Sequence, residues 1–278
     1  METMSNAEYR KKEGISASDL KRMVKSMALW KYEKDHPDEN DNEVFQFGRA
    51  YHKLMLEPDD FDNEFVVSPK FDRRTKEGKA AYEEFVKESE GKEVITEETY
   101  QKLLEMQIAL YNTPFVKLLI KGEHEKSFFW TDEKSGVPCK CRPDSFGEIK
   151  GNYVCIDLKT TQNAETQAFM RDAIKYGYDI QAAHYCEGLE IHYKKPFKFI
   201  FIAQEKTAPY LVNVLEADAY FMAAGKEVKD VLLERYKECL EKDEWPGYMD
   251  ESIGINSLSV PAWMKDSLDT NITEGDVE

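Results

Sequence analysis

Arg142-Pro143-Asp144 and, thirteen residues after that aspartate, the close of Tyr153-Val154-Cys155-Ile156-Asp157-Leu158-Lys159 decide how this chain is read. Side chains alternate faces along a strand. Val154, Ile156 and Leu158 therefore form one apolar face, and Cys155, Asp157 and Lys159 the other. The same alternation over Val137–Phe146 puts Lys140, Arg142 and Asp144 on one face. Gly151-Asn152, within the run Lys150–Asn152, is a turn signal joining the two strands. Adjacent strands lie about 4.8 Å apart, so Asp144 and Asp157 are placed to share one cation, and hard divalent ions take carboxylate oxygens. A lysine beside such an ion orients a water or neutralises charge developing on a phosphate.

An isolated D-x-K is common in charged proteins, where its ordinary reading is a surface salt bridge on a hairpin. The order acid, turn, apolar strand ending in D-x-K is more specific. It resembles the PD-(D/E)xK nuclease core, with Pro143-Asp144 and Asp157-Leu158-Lys159 as the matching residues. The resemblance implies an α/β fold with a restriction-endonuclease-like core, a mixed central sheet flanked by helices.

With 278 residues and 41% hydrophobic content, the chain suits one large domain with appendages. No run of about eighteen apolar residues is present, so no membrane span is expected. Met1–Lys12 is polar and lacks the apolar core of a signal peptide. Five cysteines (Cys139, Cys141, Cys155, Cys186 and Cys239) show no framework spacing, which suits reduced thiols in the cytoplasm. Cys139-x-Cys141 has no matching outer pair, so no iron–sulfur cluster is expected. A net charge of −16 argues against a broad DNA-coating face. It leaves room for a narrow positive channel inside an acidic exterior.

Four regions are expected: a flexible leader over 1–14, a nuclease domain over 15–245, an extension over 246–265 packing on the core or a subunit interface, and an acidic disordered tail over 266–278. The tail carries five acidic residues and no basic one. Trp245, Tyr248 and Trp263 are divided evenly between packing on the core and subunit contacts. Ser16 or Ser18 caps a helix that stops before His36-Pro37, with Lys21, Arg22 and Lys25 on a solvated basic face. Asp38–Asn42 reads as an acidic loop. Further helices are read over Glu43–Leu56, Arg73–Glu90, Glu97–Asn112, Glu165–Tyr176, Asp179–Tyr193 and Ala217–Leu240, with another opening at Thr113-Pro114. Strands are read over Glu64–Ser68, Glu125–Thr131, Val137–Phe146, Tyr153–Lys159, Phe197–Gln204 and Tyr210–Leu215. Gln181 and Tyr185 stand one turn apart on a helix face. The lone helical His52 reads as structural more readily than as a ligand, though imidazole binds metals well.

The motifs also have an order. Gly48-x-x-x-His52, Glu125, Pro143-Asp144, Asp157-x-Lys159 and Gln181-x-x-x-Tyr185 follow one another as in RecB-like nucleases. The flanking stretches Ile15-Ser16-Ala17-Ser18, Ser127-Phe128-Phe129-Trp130, Cys139-Lys140-Cys141-Arg142 and Trp245-Pro246-Gly247-Tyr248 look like the RecE exonuclease (exonuclease VIII) family of phages and prophages. The likeness runs from about Ile15 to about Trp263.

It implies a Mg²⁺-dependent 5′→3′ exonuclease, with Mn²⁺ as a possible substitute, acting on linear double-stranded DNA in a bacterial cytoplasm. Such an enzyme leaves 3′ single-stranded tails for a RecT-type annealing protein and assembles as a homotetrameric ring. Carried over, Asp144, Asp157 and the Leu158 carbonyl hold the metal, and His52 and Glu125 complete or support the shell. Glu123 competes with Glu125, which is preferred because it directly precedes Lys126-Ser127-Phe128. Lys159 positions the attacking water, and Gln181 and Tyr185 support the scissile strand. Arg142, with Ser18 or Lys25, is a candidate grip on the 5′ phosphate, since the arginine fork binds two oxygens. Two alternatives are a RecB-like nuclease of other polarity or single-strand specificity, and a non-catalytic DNA-end-binding module.

Overall fold

The computed structural model describes residues 4–37, 43–248, 256 and 258–260. The acidic loop read at Asp38–Asn42, Trp263 and the acidic tail over 266–278 lie outside the described residues. In chain order the helices are α1 (Asn6–Lys11), α2 (Ala17–Met23), α3 (Met27–Asp35), α4 (Glu43–Leu56), α5 (Phe61–Glu64), α6 (Lys76–Glu88), α7 (Glu97–Asn112), α8 (Val116–Leu119), α9 (Thr166–Lys175), α10 (Tyr178–Tyr193) and α11 (Ala219–Lys242). The strands are β1 (Phe65–Ser68), β2 (Glu93–Thr96), β3 (Glu123–His124), β4 (Phe128–Thr131), β5 (Pro138–Cys141), β6 (Ser145–Ile149), β7 (Asn152–Thr161), β8 (Phe197–Glu205) and β9 (Val212–Glu216).

The central sheet has five strands in the order β3-β6-β7-β8-β9. It is mixed: β7 runs parallel to β8 and antiparallel to β6, and β9 returns antiparallel to β8. Both faces are covered, so β7 is buried from Val154 to Leu158 and β8 from Phe199 to Gln204. Val154, Ile156 and Leu158 pack with Tyr51, Leu54 and Met55 of α4 and with Leu103, Met106 and Leu110 of α7. Cys155, with Phe199 and Phe201 of β8, packs under Ile180, Cys186 and Leu189 of α10, which α2 and α11 back. Lys150 (φ 50°) and Gly151 (φ 79°) form the two-residue turn between β6 and β7, both in the left-handed region that such a hairpin demands.

Several expected boundaries shift. The single long strand Val137–Phe146 is two strands in different sheets: β5 pairs with β4, and β6 joins the central sheet. Pro143 explains the break, since it lacks an N–H and restricts Arg142 before it. The alternation across it therefore fails. Lys140 is buried, and its ammonium reaches the carbonyls of Tyr9 (3.1 Å) and Lys12 rather than sharing a face with Asp144. The strand read over Glu125–Thr131 is shortened to β4, and a separate β3 precedes it at Glu123–His124. The expected flexible leader is instead helical over Asn6–Lys11, fixed by a Ser5–Glu8 capping box at one end and by Lys140 at the other. The first long helix is broken after Met23, where Ser26 caps a separate α3. Strand β2, unread in the sequence, pairs parallel with β1. At the start of the extension, the Pro246 carbonyl accepts from Ala28 N (3.1 Å) and Trp245 lies 5.5 Å from Trp30, while Tyr248 is exposed. Trp245 thus packs on the core.

His184 on α10 is fully buried against the Trp130 ring, and its Nε2 lies 3.1 Å from the Lys140 carbonyl. Burial pushes its pKa down to about 4. The folded state keeps this imidazole neutral, while the unfolded chain takes up a proton below about pH 6.5. Stability is therefore lost as pH falls from about 6.5 towards 4, by about 1.4 kcal/mol per pH unit. Urea unfolding of the wild type should lose about 2 kcal/mol more between pH 7 and 5 than His184→Gln does. Equal losses would remove His184 as the cause.

Candidate active site

The site is built where β7 outruns its neighbour. β6 pairs with β7 only as far as Ser145–Ile156, because Pro143 turns the chain away. Side chains take over the ladder from there. The Leu158 N–H donates to Asp144 Oδ2 (2.7 Å), and the Leu158 carbonyl lies 2.8 Å from His52 Nε2. His52 Nε2 is also 3.6 Å from Asp144 Oδ2. One turn of α4 and the broken strand thus bring His52, Asp144 and the Leu158 carbonyl to one point.

Asp157, 1% exposed, is on the opposite face of β7. Gln181 Nε2 donates to its Oδ1 at 2.5 Å, and Lys159 forms an ion pair with its Oδ2. Lys21 of α2 donates to Gln181 Oε1 at 2.7 Å, which fixes which end of the amide faces Asp157. Lys159 and Lys21 both lie over the Tyr178 ring, 4.9 and 5.2 Å from its centroid.

Glu125 is held in the left-handed region (φ 50°), with its N–H donating to the Asp144 carbonyl (3.3 Å). Its carboxylate pairs with Arg142 Nε at 2.7 Å. The competitor Glu123 is exposed on β3 and interacts with Tyr193 instead. Tyr185 follows Gln181 by one turn, half-buried, with its ring 6.4 Å from Phe199 and its phenol in the electrostatic range of Asp157 and Asp144.

Electrostatics follow from crowding charges in a dry place. Burial, then the Asp144 charge, pushes the Glu125 carboxyl up to about 7, although Arg142 opposes the shift. Burial raises Asp144 as well, with His52 opposing and Asp157 adding to it. Burial on its own would lower Lys159, but the Asp157 and Asp144 carboxylates outweigh it and hold the ammonium charged. Burial and the neighbouring Lys159 lower Lys21 to about 8.

Most of the residues expected from sequence come together: His52, Glu125, Asp144, Asp157, Leu158, Lys159, Gln181 and Tyr185. The expected phosphate grip does not. Arg142 is paired with Glu125, while Ser18 and Lys25 face solvent. Lys21, read as part of a solvated face, and Tyr178 enter instead. Both carried a signal. Lys21 stands one turn after Ala17 on the buried side of α2, and Tyr178 precedes Gln181 and Tyr185 at helical spacing.

Among the described residues, no three His, Cys, Asp or Glu side chains form a ready-made metal cage. Asp157 is turned to Gln181 and Lys159, and Asp144 to the Leu158 N–H. The donors fit a hard divalent cation all the same: two carboxylates, an imidazole and a strand carbonyl, with Asp144 destabilised by burial and a neighbouring carboxylate that added positive charge would relieve.

The family model for the PDDEXK-like domain of unknown function (DUF3799) matches residues 16–254. The chain belongs to this family. PDDEXK nucleases generally use divalent metal ions, in accord with that donor set. The PDDEXK-like fold is shared with a solved structure described as a "putative exonuclease" from Eubacterium rectale, with a TM-score of 0.61 at 15% identity over 98% of this chain and 100% of that one. The structure of SSO0001 aligns with a TM-score of only 0.29 at 16% identity over 67% of this chain and 86% of that one, and carries no argument. No curated protein matches the sequence significantly.

Within this PDDEXK-like site, Lys21→Met should slow nuclease activity about ten- to a hundredfold by freeing the Gln181 amide beside Asp157. Lys25→Met, on the solvent side of the same segment, should stay within about twofold of wild type. Equal behaviour of the two variants would remove Lys21 from the site.

Proposed function

We propose that the protein is a divalent-metal-dependent deoxyribonuclease, an exonuclease that degrades linear duplex DNA 5′→3′ and leaves 3′ single-stranded tails. One observation carries the reading: Asp144 and His52 from one side and Asp157 and Lys159 from the other flank the stretch of β7 that β6 no longer pairs. A non-catalytic end-binding module has no use for this arrangement, because burying this much charge destabilises the chain.

Asp144, Asp157, His52 and the Leu158 carbonyl would hold the cation, with Mg²⁺ the expected ion and Mn²⁺ a substitute. When bound, the ion supplies Lewis-acid stabilisation of phosphate charge. Lys159 Nζ, kept protonated by its two carboxylates, orients the attacking water and offers an N–H to a non-bridging phosphate oxygen. The water oxygen bonds to phosphorus in line as the bond to the departing 3′ oxygen breaks. That oxygen takes up a proton, and the water's second proton is released. Gln181, locked by Lys21, holds Asp157 in orientation, and Glu125 does the same for Arg142. Tyr185 lines the strand's path.

The RecE-like motif order supports polarity, a four-membered ring around DNA and delivery of 3′ tails to an annealing protein. A ring would confine positive charge to its channel and reconcile a net charge of −16 with DNA binding. A linear duplex labelled separately at the 5′ and 3′ ends of one strand tests the polarity. Early release of the 5′ label alone supports it. Early release of the 3′ label alone, or cleavage restricted to single strands, replaces it with a RecB-like nuclease of the other kind.

A further inference from the structure

Away from the carboxylates, a cleft of about 500 Å³ opens between α1, α3, the β4–β5 turn and the end of α11. Arg10, Lys11, Lys12, Lys34 and Lys237 line it against only Glu13 and Glu241. None of these five cations makes an ion pair among the described residues, whereas Lys53, Lys159 and Lys229 are each paired with carboxylates. Unpaired positive charge gathered in one concave place is unexpected in a protein of net charge −16. Its floor is apolar, formed by Ile15, Trp30 and Val137.

The cleft also has a route to the site. Val137 lies in its wall, and β5 leads from there to Arg142, about 17 Å at a strand's rise. That distance spans a few phosphates of an extended single strand, whose phosphates stand further apart than the axial rise of a duplex. Helix α1 runs beside this path. Tyr9 feels the charges of Arg142 and Glu125, and the next three residues, Arg10, Lys11 and Lys12, line the cleft. Lys140 pins the helix there through its carbonyls.

We propose that this cleft is a second nucleic-acid site, which holds the phosphate backbone of single-stranded DNA a few nucleotides from the point of cleavage. The inference rests on the nuclease reading and adds a place where the strand stays bound between cleavage events. A cleft of this volume suits a single strand better than a duplex.

The test is binding of a fluorescein-labelled 20-mer of dT to full-length protein in EDTA, followed by anisotropy across a salt series. The triple variant Lys11→Glu, Lys12→Glu, Lys237→Glu is compared with Lys76→Glu, Lys79→Glu, Lys87→Glu on the exposed helix α6. The cleft variant should bind at least tenfold more weakly, and the slope of log affinity against log salt should fall by about 2, at about 0.7 for each phosphate left unneutralised. In Mg²⁺ it should degrade long DNA in shorter bursts while releasing the first nucleotide from a 5′-phosphorylated duplex end at the wild-type rate. Affinity and slope equal to those of the α6 variant would overturn the proposal, even with cleavage intact. So would binding that weakens equally in both variants, which would mark a general charge effect. Loss of first-nucleotide release along with binding would place these residues in the catalytic site and overturn it as well. A wild type that binds DNA but cleaves neither substrate would sink the nuclease reading and leave the cleft supported by its binding alone.

Discussion

Asp144→Asn will lower the rate of DNA hydrolysis about a thousandfold or more, and in metal-free buffer the variant will unfold at a temperature equal to or above that of the wild type. The two effects have one source. Asp144 is 8% exposed, and burial raises its carboxyl pKa above the ordinary aspartate value. A raised carboxyl pKa means that folding disfavours the charged form at neutral pH. That penalty is complete above the raised folded pKa, shrinks as pH falls through it and is gone below the unfolded pKa. Asparagine keeps an oxygen able to accept from the Leu158 N–H and carries no charge to bury. It also removes a charged donor from the proposed cation site, where one lost electrostatic interaction costs about a hundred- to a thousandfold and a lost metal more. A residue kept for structure would behave in the reverse way, with melting temperature falling and activity following it. Thermal unfolding in EDTA together with single-turnover hydrolysis in Mg²⁺ separates the two cases.

Gly225→Ala will destabilise the protein by about 3 kcal/mol and lower its melting temperature by about 5–10 °C. Helix propensity alone predicts the opposite, a gain of about 1 kcal/mol. Position decides the sign. A Cβ on Gly225 would stand 2.0 Å from the Asp179 carbonyl oxygen and 2.2 Å from its carbon, and backbone atoms cannot rotate aside. α11 must lift from the first turn of α10. Gln181 is two residues along from Asp179, so the displacement reaches the amide that holds Asp157. The variant should therefore lose activity at temperatures where it is still folded. A rise in melting temperature would show that the two helices have room for the methyl group.

The catalytic half of the fold was legible because its signals are local. The alternation over Val154–Leu158, the turn at Lys150-Gly151 and the D-x-K at its end each depend on a few neighbouring residues. Helices α4 and α7 were readable for the same reason, since periodicity and a proline or a threonine cap fix their ends. Alternation could not be carried across Pro143, because a chain that changes sheets there restarts its faces. That break puts Asp144 beside Leu158 and removes Lys140 to the α1 carbonyls. The part played by Lys21 is tertiary. A lysine one turn beyond a buried alanine looks the same whether it snorkels to water or meets Gln181, and only the packing of α2 on α10 decides. Glu125 differs from Glu123 by one turn of loop geometry, a left-handed residue that composition does not announce.

The central claim is that the end of β7 hydrolyses DNA, and one measurement addresses it directly. Linear duplex DNA labelled within the strand is incubated with wild type in Mg²⁺, with wild type in EDTA, and with Lys159→Met in Mg²⁺, and acid-soluble label is followed. Release of label by wild type in Mg²⁺, its absence in EDTA and a loss of about a thousandfold in Lys159→Met are predicted, with the variant's circular dichroism unchanged. Label released by folded Lys159→Met at the wild-type rate would place the chemistry elsewhere and contradict the account.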